Sequence, residues 1–367
     1  MDWTDTGYFY LVDVNVVSQT NVDNTLGGLS GVVLSGLSVT ENYNSDSRVQ
    51  AKVSTIVKDD ESDGYVTNAR LRIILSIPDR EWHEELITGY VSDISESYDN
   101  GYVKRDYTIE GTIWGLLEHK IKSPIIISKG AKMINVWTTL MQTQTRMQYN
   151  ATNARDKAFS NTIVYEAGSN LSTVLFEVSS GYDRMEVDGH GRVILEKYTA
   201  PSSRTPSRII DYSDIGGLAL YPLSKASSVW EMPGRAVVTA NVSVKNSKGK
   251  TSQQVVVGSY DAPAGHATSI GTRGWLRART DTYQGTSENP SKSELNAIAE
   301  QNWKKAQDKG IVWTGQTVFA DYHAGNVLAL YTPSDYENGN VDGRKVLVQS
   351  VRTNLETFTQ ELTMKEV

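Results

Sequence analysis

The chain has 367 residues, no cysteine, a hydrophobic fraction of 39% and a formal net charge of −7. The length is typical of two or three domains, and the absence of cysteine excludes disulfides and thiolate metal sites and is consistent with assembly in a reducing cytoplasm. The negative charge argues against a basic nucleic-acid surface, the lack of an apolar run of about 18 residues argues against a membrane span, and the polar, acidic first ten residues argue against a secretory signal.

The first 120 residues predict antiparallel β-structure. Residues 1–30 are predicted to be a lead-in segment with one alternating strand, which ends at Gly27. The pattern then has period two, and one face of "SRVQAKVSTIV" carries Val49, Ala51, Val53 and Thr55. Asn100-Gly101 lies between two alternating runs, and Asn-Gly favours a hairpin because both residues tolerate positive φ. Residues 31–120 are therefore predicted to form a first β domain, a small antiparallel barrel or sandwich.

Between residues 121 and 228 the pattern changes to mixed helix and strand. "GAKMINVWTTLMQTQ" places apolar residues at helical spacing, namely Met133, Val136, Trp137, Leu140 and Met141. "SNLSTVLFEVSSG" predicts a second helix with one apolar stripe, formed by Leu171, Val174, Leu175 and Val178. Asn170 or Ser172 could cap its start, and Gly181 suits its end. We predict a central α/β domain here.

The segment "GYDRMEVDGHGRVILEKY" follows the second helix, and its Asp188-Gly189-His190-Gly191 has two interpretations. An aspartate and a histidine side by side could bind a metal or move a proton. Alternatively, they form the corner of a hairpin, because the flanking residues alternate and Asp-Gly is turn chemistry. A histidine with no second imidazole nearby makes a poor metal site. We therefore predict a hairpin, with His190 at its exposed tip.

Residues 229–367 are predicted to form a second β-barrel with an inserted helix at residues 291–309. Ser291 and Glu294 form a capping box at the start of this helix, and Gly310 ends it. Its inward-facing residues are predicted to be Leu295, Ile298, Ala299 and Ala306. The final segment "VLVQSVRTNLETFTQELTMKEV" has the same order of strand, polar turn and strand as "YVSDISESYDNGYVKRDYTIEG". This similarity of pattern indicates two related β modules around the central domain.

No catalytic, cofactor-binding or metal-binding motif is complete, so we predict no residues for these roles. "WHEEL" (Trp82–Leu86) begins like a zinc-peptidase helix, but Ile87 occupies the position of the second histidine. "DDESDG" (Asp59–Gly64) lacks the spacing and final glutamate of a calcium loop, and a solvated hairpin tip is predicted. The histidines are scattered, and each is predicted to be a surface or packed residue: His83, His119, His190, His266 and His323. Three Asn-X-Ser/Thr sequences are attributed to chance: Asn150, Asn170 and Asn241.

Taken in order, the segments resemble the hub proteins of tailed-phage tails and related contractile machines. That family includes baseplate hubs, tail-tip hubs and the N-terminal part of tail-associated lysins. The resemblance covers approximately residues 30–367 and rests on layout: "ITGYVSDISESYDNGYVKRDYTIEGTIWGLLEHKI", then "IIISKGAKMINVWTTLMQ" and "DRMEVDGHGRVILEKY", then "RAVVTANV", "SYDAPAGHATSIGTRG", "SELNAIAEQNWKKAQ", "GNVLALYT" and "VLVQSVRTNLETFTQELTM".

The resemblance implies a mainly β fold with two small antiparallel β-barrels that flank a central α/β domain. It implies a structural protein of the virion, located at the tail tip after assembly in the host cytoplasm. A homotrimer of such chains presents a ring of six barrels, which would match a sixfold tail tube to a threefold spike or fibre. Its partners would be the tail tube or distal tail protein, and the spike, fibre or tape-measure protein. DNA would pass through the lumen during ejection without specific binding, and no cofactor is implied.

Two other functions are kept as alternatives. A carbohydrate-binding or receptor-binding tail module, acting in host attachment, would stack sugars on exposed tryptophans such as Trp230, Trp275 or Trp313, although their strand contexts favour packing. A cell-wall hydrolase would need a paired acid and base in a cleft. Tail-associated lysins carry that activity in a C-terminal extension, and this chain stops at Val367, so we predict no enzymatic activity. Contact residues are expected in the loops at 58–64, 97–102 and 261–274.

Overall fold

The computed structural model describes residues 9–43, 45, 48–59, 69–179, 183–212, 218–226, 232–245, 251–283, 290–307, 311–337 and 343–367. The chain divides into two compact units. The first unit comprises Met1–Leu223 and Thr314–Met364, and the second comprises Ser224–Trp313 and Lys365–Val367. The predicted boundaries, at residues 30, 120 and 228, remain a prediction about domain organisation.

One large sheet contains most of the strands. Its N-terminal strands are β1 (Leu11–Ser18), β2 (Thr25–Gly28), β3 (Val32–Asn42), β4 (Val49–Lys58), β5 (Ala69–Ile77), β6 (Trp82–Asp99) and β7 (Tyr102–Gly111). Later strands are β13 (Arg208–Asp211), β14 (Ala219–Ala226), β18 (Val312–Val318), β19 (Val327–Tyr331), β20 (Arg344–Asn354) and β21 (Thr359–Glu366). The order in the sheet is β14-β18-β21-β20-β3-β4-β7-β6-β5-β1-β2, with β19 beside β20 and β13 beside β19.

The sheet confirms the mainly β class, and it joins the two β regions that the sequence predicts as separate modules. β20 and β3 are antiparallel neighbours, with Thr353 opposite Val39, so the strands of both regions belong to one sheet. The two barrels themselves remain a prediction, because the sheets are not closed. The predicted hairpin at Asn100-Gly101 is confirmed: β6 and β7 meet there, and both turn residues have positive φ, 50° and 78°.

The lead-in segment is held by its own chain. β1 lies between β2 and β5 in the sheet. The ring of Tyr10 stacks on Phe358 at a centroid distance of 4.2 Å, and its hydroxyl donates a hydrogen bond of 2.9 Å to the carbonyl of Leu355. Tyr10 therefore packs against the β20–β21 turn, and β1 and β2 complete one edge of the sheet.

A mixed α/β layer follows β7 in the first unit. It consists of α1 (Thr112–Glu118), β8 (Ile125–Ile127), α2 (Met133–Gln144), β9 (Tyr149–Asn150), β10 (Ile163–Tyr165), α3 (Leu171–Ser179), β11 (Asp183–Val187) and β12 (Val193–Lys197). The apolar stripes predicted for α2 and α3 are confirmed, because Trp137, Leu171 and their neighbours form a buried core. The prediction of a continued strand at α1 is wrong, because residues Thr112–Glu118 form a helix. The chain turns helical after Gly111, which lets Ile113 and Leu116 enter the same core. Gly181 lies outside the described residues.

The second unit contains a three-stranded sheet covered by a helix. β15 (Arg235–Lys245) pairs antiparallel with β16 (Thr251–Asp261) and parallel with β17 (Ala278–Thr282). α5 (Lys292–Gln307) buries Leu295, Ala299 and Trp303 against this sheet, and Ser291 caps it by accepting a 3.1 Å hydrogen bond from the Glu294 N–H. Gly310 lies outside the described residues. Short helices are α4 (Ile270–Arg273) in this unit and α6 (Pro333–Glu337) in the first. The described helices include none whose length and apolarity would let it cross a membrane.

Candidate functional site

The Asp188-Gly189-His190-Gly191 segment forms the turn between β11 and β12, so the predicted hairpin is confirmed. The Asp188 side chain accepts a 2.7 Å hydrogen bond from the Arg192 N–H, which closes the turn. The predicted exposure of the tip is wrong. A Cβ on Gly189 would lie 1.6 Å from the carbonyl oxygen of Glu85, and one on Gly191 would lie 2.8 Å from the Cβ of Thr88. The glycines therefore let this turn, residues 188–192, pack directly on β6. We call it the docked turn.

His190 lies between two carboxylates instead of pointing into solvent. Its Nδ1 is 2.6 Å from Oε2 of Glu85 on β6, and its Nε2 is 2.8 Å from Oδ1 of Asp23 in the lead-in segment. Asp23 also accepts hydrogen bonds from Arg192 at 2.7 Å and from Gln148 at 2.8 Å. These donors, with Arg192 first, hold the pKa of Asp23 well below its usual range. The α/β layer thus holds the turn between β1 and β2.

Two buried arginines on β5 donate hydrogen bonds to the docked turn. Arg70 is fully buried and lies 4.4 Å from the Tyr90 ring centroid, and its guanidinium donates to the Tyr90 hydroxyl at 2.7 Å and to the Gly191 carbonyl at 3.4 Å. Arg72 is 5% exposed and donates to the His190 carbonyl at 3.2 Å. It also lies 3.1 Å from the Glu85 carboxylate. Burial lowers the pKa of both guanidinium groups. Buried cations of this kind require fixed acceptors, and the backbone carbonyls of the docked turn supply some of them.

A second imidazole, His323, contacts Glu84, the residue before Glu85 on β6. It follows β18 in the loop Phe319–Asn326, which we call the histidine loop. Its Nδ1 lies 3.0 Å from Oε1 of Glu41 on β3, and its Nε2 lies 2.7 Å from Oε1 of Glu84 on β6 and 2.9 Å from Oδ1 of Asp321. Both nitrogens can donate at once only when the ring is protonated. The cluster therefore holds a charged imidazolium among three carboxyl groups.

The pKa values of this cluster follow from its burial and its charges. Burial acts to lower the pKa of His323, but the carboxylates, with Glu41 first, raise it far above its ordinary value. Burial acts to raise the pKa of Asp321, but hydrogen bonds from His323 and from Arg208 hold it well below its ordinary value. Glu84 differs, because burial raises its pKa to about 7. Among Glu84, Asp321 and His323, Glu84 is therefore the group that titrates near neutral pH.

Glu84, Asp321 and His323 have the donor types of a transition-metal site, and their donor atoms lie within 4.8 Å of one another. The hydrogen bonding fits a metal poorly. Nε2 of His323 lies within direct hydrogen-bonding distance of both carboxylates, and a metal would need that nitrogen unprotonated. The arrangement fits an ion-pair cluster that joins β3, β6 and the histidine loop.

A cavity of about 260 Å³ connects the two imidazole clusters. Its lining residues include Glu41, Glu84 and His323 of one cluster and Glu85 and Gly189 of the other. The segment "WHEEL" does not form a zinc-binding helix but belongs to strand β6. Its Glu84 contacts His323, and its Glu85 contacts His190. No local sequence signal links Glu84 to His323, since 239 positions separate them. The pairing of β20 with β3 brings the C-terminal region beside them.

The other residues considered from sequence have structural environments. His83 is exposed and His119 is half-buried, while His266 lies 2.9 Å from the Thr268 hydroxyl and packs edge-on against Trp303. Trp313 is 7% exposed and donates to Glu366, whereas Trp275 is 39% exposed and lies beside Arg273. The following lie outside the described residues: Trp230 and positions 60–64 of the acidic tip.

Several solved structures share this fold, although no sequence match was found. No family model matches the sequence, and no curated protein matches it. A tail protein from Neisseria meningitidis MC58 has a TM-score of 0.66 at 11% identity, covering 98% of this chain and 97% of that chain. The 43 kDa tail protein of prophage MuSo2 from Shewanella oneidensis has a TM-score of 0.65 at 11% identity, covering 98% of each chain.

A third solved structure comes from a secretion machine. The Escherichia coli c3393 protein, a component of the type VI secretion system similar in structure to T4 bacteriophage tail proteins gp27 and gp5, has a TM-score of 0.52 at 10% identity. The match covers 99% of this chain and 76% of that chain. The resemblance to tail hub proteins that the sequence predicts is therefore confirmed as a shared fold.

Proposed function

We propose that this chain is a structural hub of a phage tail tip or baseplate. The observation that carries the proposal is the fold shared with two tail proteins, one of them from a prophage, over at least 97% of this chain and of each of theirs. A fold matched along its whole length includes the α/β layer and the inserted helix as well as the sheet. Fold alone does not determine function, so the assembly requires a direct test.

In this proposal three copies form a ring that closes the tail tube and adapts its sixfold symmetry to a threefold spike or fibre. The pattern shared by the first and last β regions supports it, because two related β regions per chain give six around a trimer. The tube or distal tail protein would bind one side, and the spike, fibre or tape-measure protein the other. DNA would cross the lumen without specific contacts, and the location would be the virion tail tip after assembly in the host cytoplasm.

Exposed apolar side chains in two of the predicted contact loops are candidates for these interfaces. Tyr98 is 67% exposed and Tyr102 is 48% exposed at the β6–β7 hairpin, and Ile270 is 60% exposed in the second unit. Tyrosine is enriched at protein interfaces because it combines apolar area with a polar group. We expect the paired substitution of Tyr98 and Tyr102 by serine to weaken assembly without unfolding the chain.

We propose a non-enzymatic role for the two imidazoles. General acid–base catalysis needs a side chain positioned at a substrate, whereas His190 and His323 are engaged with carboxylates of their own chain. A zymogram on cell-wall polymer tests this, and a cleared band from purified protein would contradict it. Of the two candidate tryptophans that the structure describes for the carbohydrate-binding alternative, Trp275 is the more exposed. A glycan array comparing the natural chain with Trp275→Ala would reveal such binding.

Native mass spectrometry over a wide range of protein concentrations tests the proposed assembly. The proposal predicts a species at three times the chain mass of 40.6 kDa, which the Tyr98/Tyr102 serine variant populates less. Tyr198→Ser, an exposed tyrosine outside the hairpin, is the matched control. A chain that stays monomeric or forms only dimers at every concentration would contradict the trimeric hub.

A further inference from the structure

The backbone of Ala320 and Tyr322 in the histidine loop hydrogen-bonds to the buried Gln360 side chain of β21. The tip of the loop, His323–Ala324, is held on the sheet by a small set of charges. His323 contacts Glu41 and Glu84 through its two nitrogens, at 3.0 Å and 2.7 Å. The Ala324 N–H donates a 3.1 Å hydrogen bond to the second oxygen of Glu41. Asp321 has a left-handed backbone, with φ of 57°, and its carboxylate turns back toward His323. The contacts of His323 and Ala324 therefore fix the tip of this loop to β3 and β6.

The charges that contact His323 come from β3, from β6 and from its own loop. Glu41 belongs to β3, Glu84 to β6 and Asp321 to the loop itself. Arg208 of β13 pairs with Asp321 at 2.5 Å. Three carboxyl groups thus meet two cations. Glu85, which lines the same cavity, is engaged with Arg72 and His190 instead.

Glu84 is the least satisfied member of this set. Its Oε1 faces His323, but its Oε2 is buried and has no hydrogen-bond partner among the described residues. Its side chain is 23% exposed, and its carboxyl group approaches that of Asp321. A buried carboxylate oxygen without a donor is unfavourable when it is ionised, and two carboxylates at one site repel each other. A proton on Glu84 removes both costs.

We propose that Glu84 is the pH-sensitive part of a clamp: its protonated form keeps the His323–Ala324 tip of the histidine loop seated on β3 and β6, and its ionised form repels Asp321 and loosens this tip. The cavity of about 260 Å³ beside Glu84 gives water a place to solvate the ionised carboxylate as the loop moves. Burial raises the pKa of Glu84 to about 7, so the transition falls near neutral pH. His323 keeps its proton through this range and holds the loop through Glu41.

Hydrogen exchange read by mass spectrometry tests the clamp. Exchange of the 319–326 amides is measured from pH 5.5 to 8.5 in the presence of EDTA and corrected for the intrinsic pH dependence. We expect the corrected exchange rate to rise at least about tenfold with a midpoint near pH 7, since each unit of pKa perturbation corresponds to a tenfold change in an equilibrium. Amides of α2 serve as the internal reference and should show no such step.

Glu84→Gln removes the titration while keeping the shape of the side chain. In this variant we expect exchange of the loop to be flat across the pH range. His83→Gln, an exposed neighbour on the same strand, should keep the natural midpoint. Asp321→Asn removes the nearby carboxylate, so the midpoint should move to lower pH. This second variant keeps the proposal testable if Glu84→Gln does not fold.

Two results would overturn the clamp. One is a natural chain whose loop shows no pH-dependent step in corrected exchange. The other is a step that persists unchanged in both Glu84→Gln and Asp321→Asn, because the titrating group would then lie elsewhere. Neither outcome depends on the state of assembly, so failure of the clamp and failure of the hub proposal are distinguishable.

Discussion

Gly189→Ala should break the contact between the docked turn and the sheet. The new Cβ would lie 1.6 Å from the Glu85 carbonyl oxygen and 2.7 Å from its carbon, so the turn must move away from β6. That movement weakens the 2.8 Å hydrogen bond from the Thr88 hydroxyl to the Gly189 carbonyl and the 3.2 Å bond from Arg72 to the His190 carbonyl. Overpacking costs about 1–3 kcal/mol, and each lost bond to a buried group costs about 1 kcal/mol. We expect a total loss of about 3–5 kcal/mol from the first unit.

Native-state hydrogen exchange of buried β5 amides measures this loss in the first unit itself. Gly27→Ala is the matched control, because a Cβ there meets nothing within 4 Å and should change the free energy by less than about 1 kcal/mol. A Gly189→Ala variant whose β5 protection equals that of Gly27→Ala would refute the close docking. A loss confined to β11 and β12 would mean that the turn detaches without stabilising the sheet.

Three further predictions concern the buried charges and the second unit. Arg72→Met should destabilise the first unit by about 2–4 kcal/mol, and by more than Arg70→Met, because it leaves the Glu85 carboxylate without its guanidinium; a larger loss for Arg70→Met in the same exchange assay would contradict this. In the folded chain the pKa of Glu84 is raised from 4.5 to about 7. The protonated group therefore contributes its full stabilisation below about pH 4.5 and loses it as the pH rises through 7. The free energy of unfolding should fall by about 3 kcal/mol across this window. The difference in unfolding free energy between Glu84→Gln and the natural chain should therefore change across this window, and a constant difference would argue against the shift. Trp303→Phe removes an indole hydrogen bond of 3.0 Å to a backbone carbonyl and should cost the second unit about 1–2 kcal/mol, which exchange of β15 amides would detect; unchanged β15 protection would contradict it.

Local chemistry was sufficient to predict the hairpins and most of the helices. Asn100-Gly101 and Asp188-Gly189 favour tight turns through their own backbone preferences. The stripe that contains Trp137 has helical period and lies in the core. α1 was missed because the residues after Gly111 continue a strand-like run of β-branched and aromatic types. The helix forms there because the neighbouring core accepts Ile113 and Leu116, and tertiary packing overrides propensity.

The candidate site could not be predicted because its partners are distant in sequence. Asp188-Gly189 predicts a turn equally well for an exposed and a docked hairpin. The hairpin is docked because Gly189 closely approaches the Glu85 carbonyl. That approach depends on the path of β6, which lies far away in sequence. In the same way His323 meets Glu84 only through the order of strands in the sheet. Five scattered histidines in a sequence do not indicate which glutamates they face.

Cryo-electron microscopy of the purified oligomer, reconstructed without imposed symmetry, tests the hub proposal most directly. The account predicts three copies around a threefold axis, with an open axial channel and two β regions from each chain alternating around it. A twofold particle, a linear chain of copies or a ring without an axial channel would contradict the proposal that this protein closes the end of a tail tube.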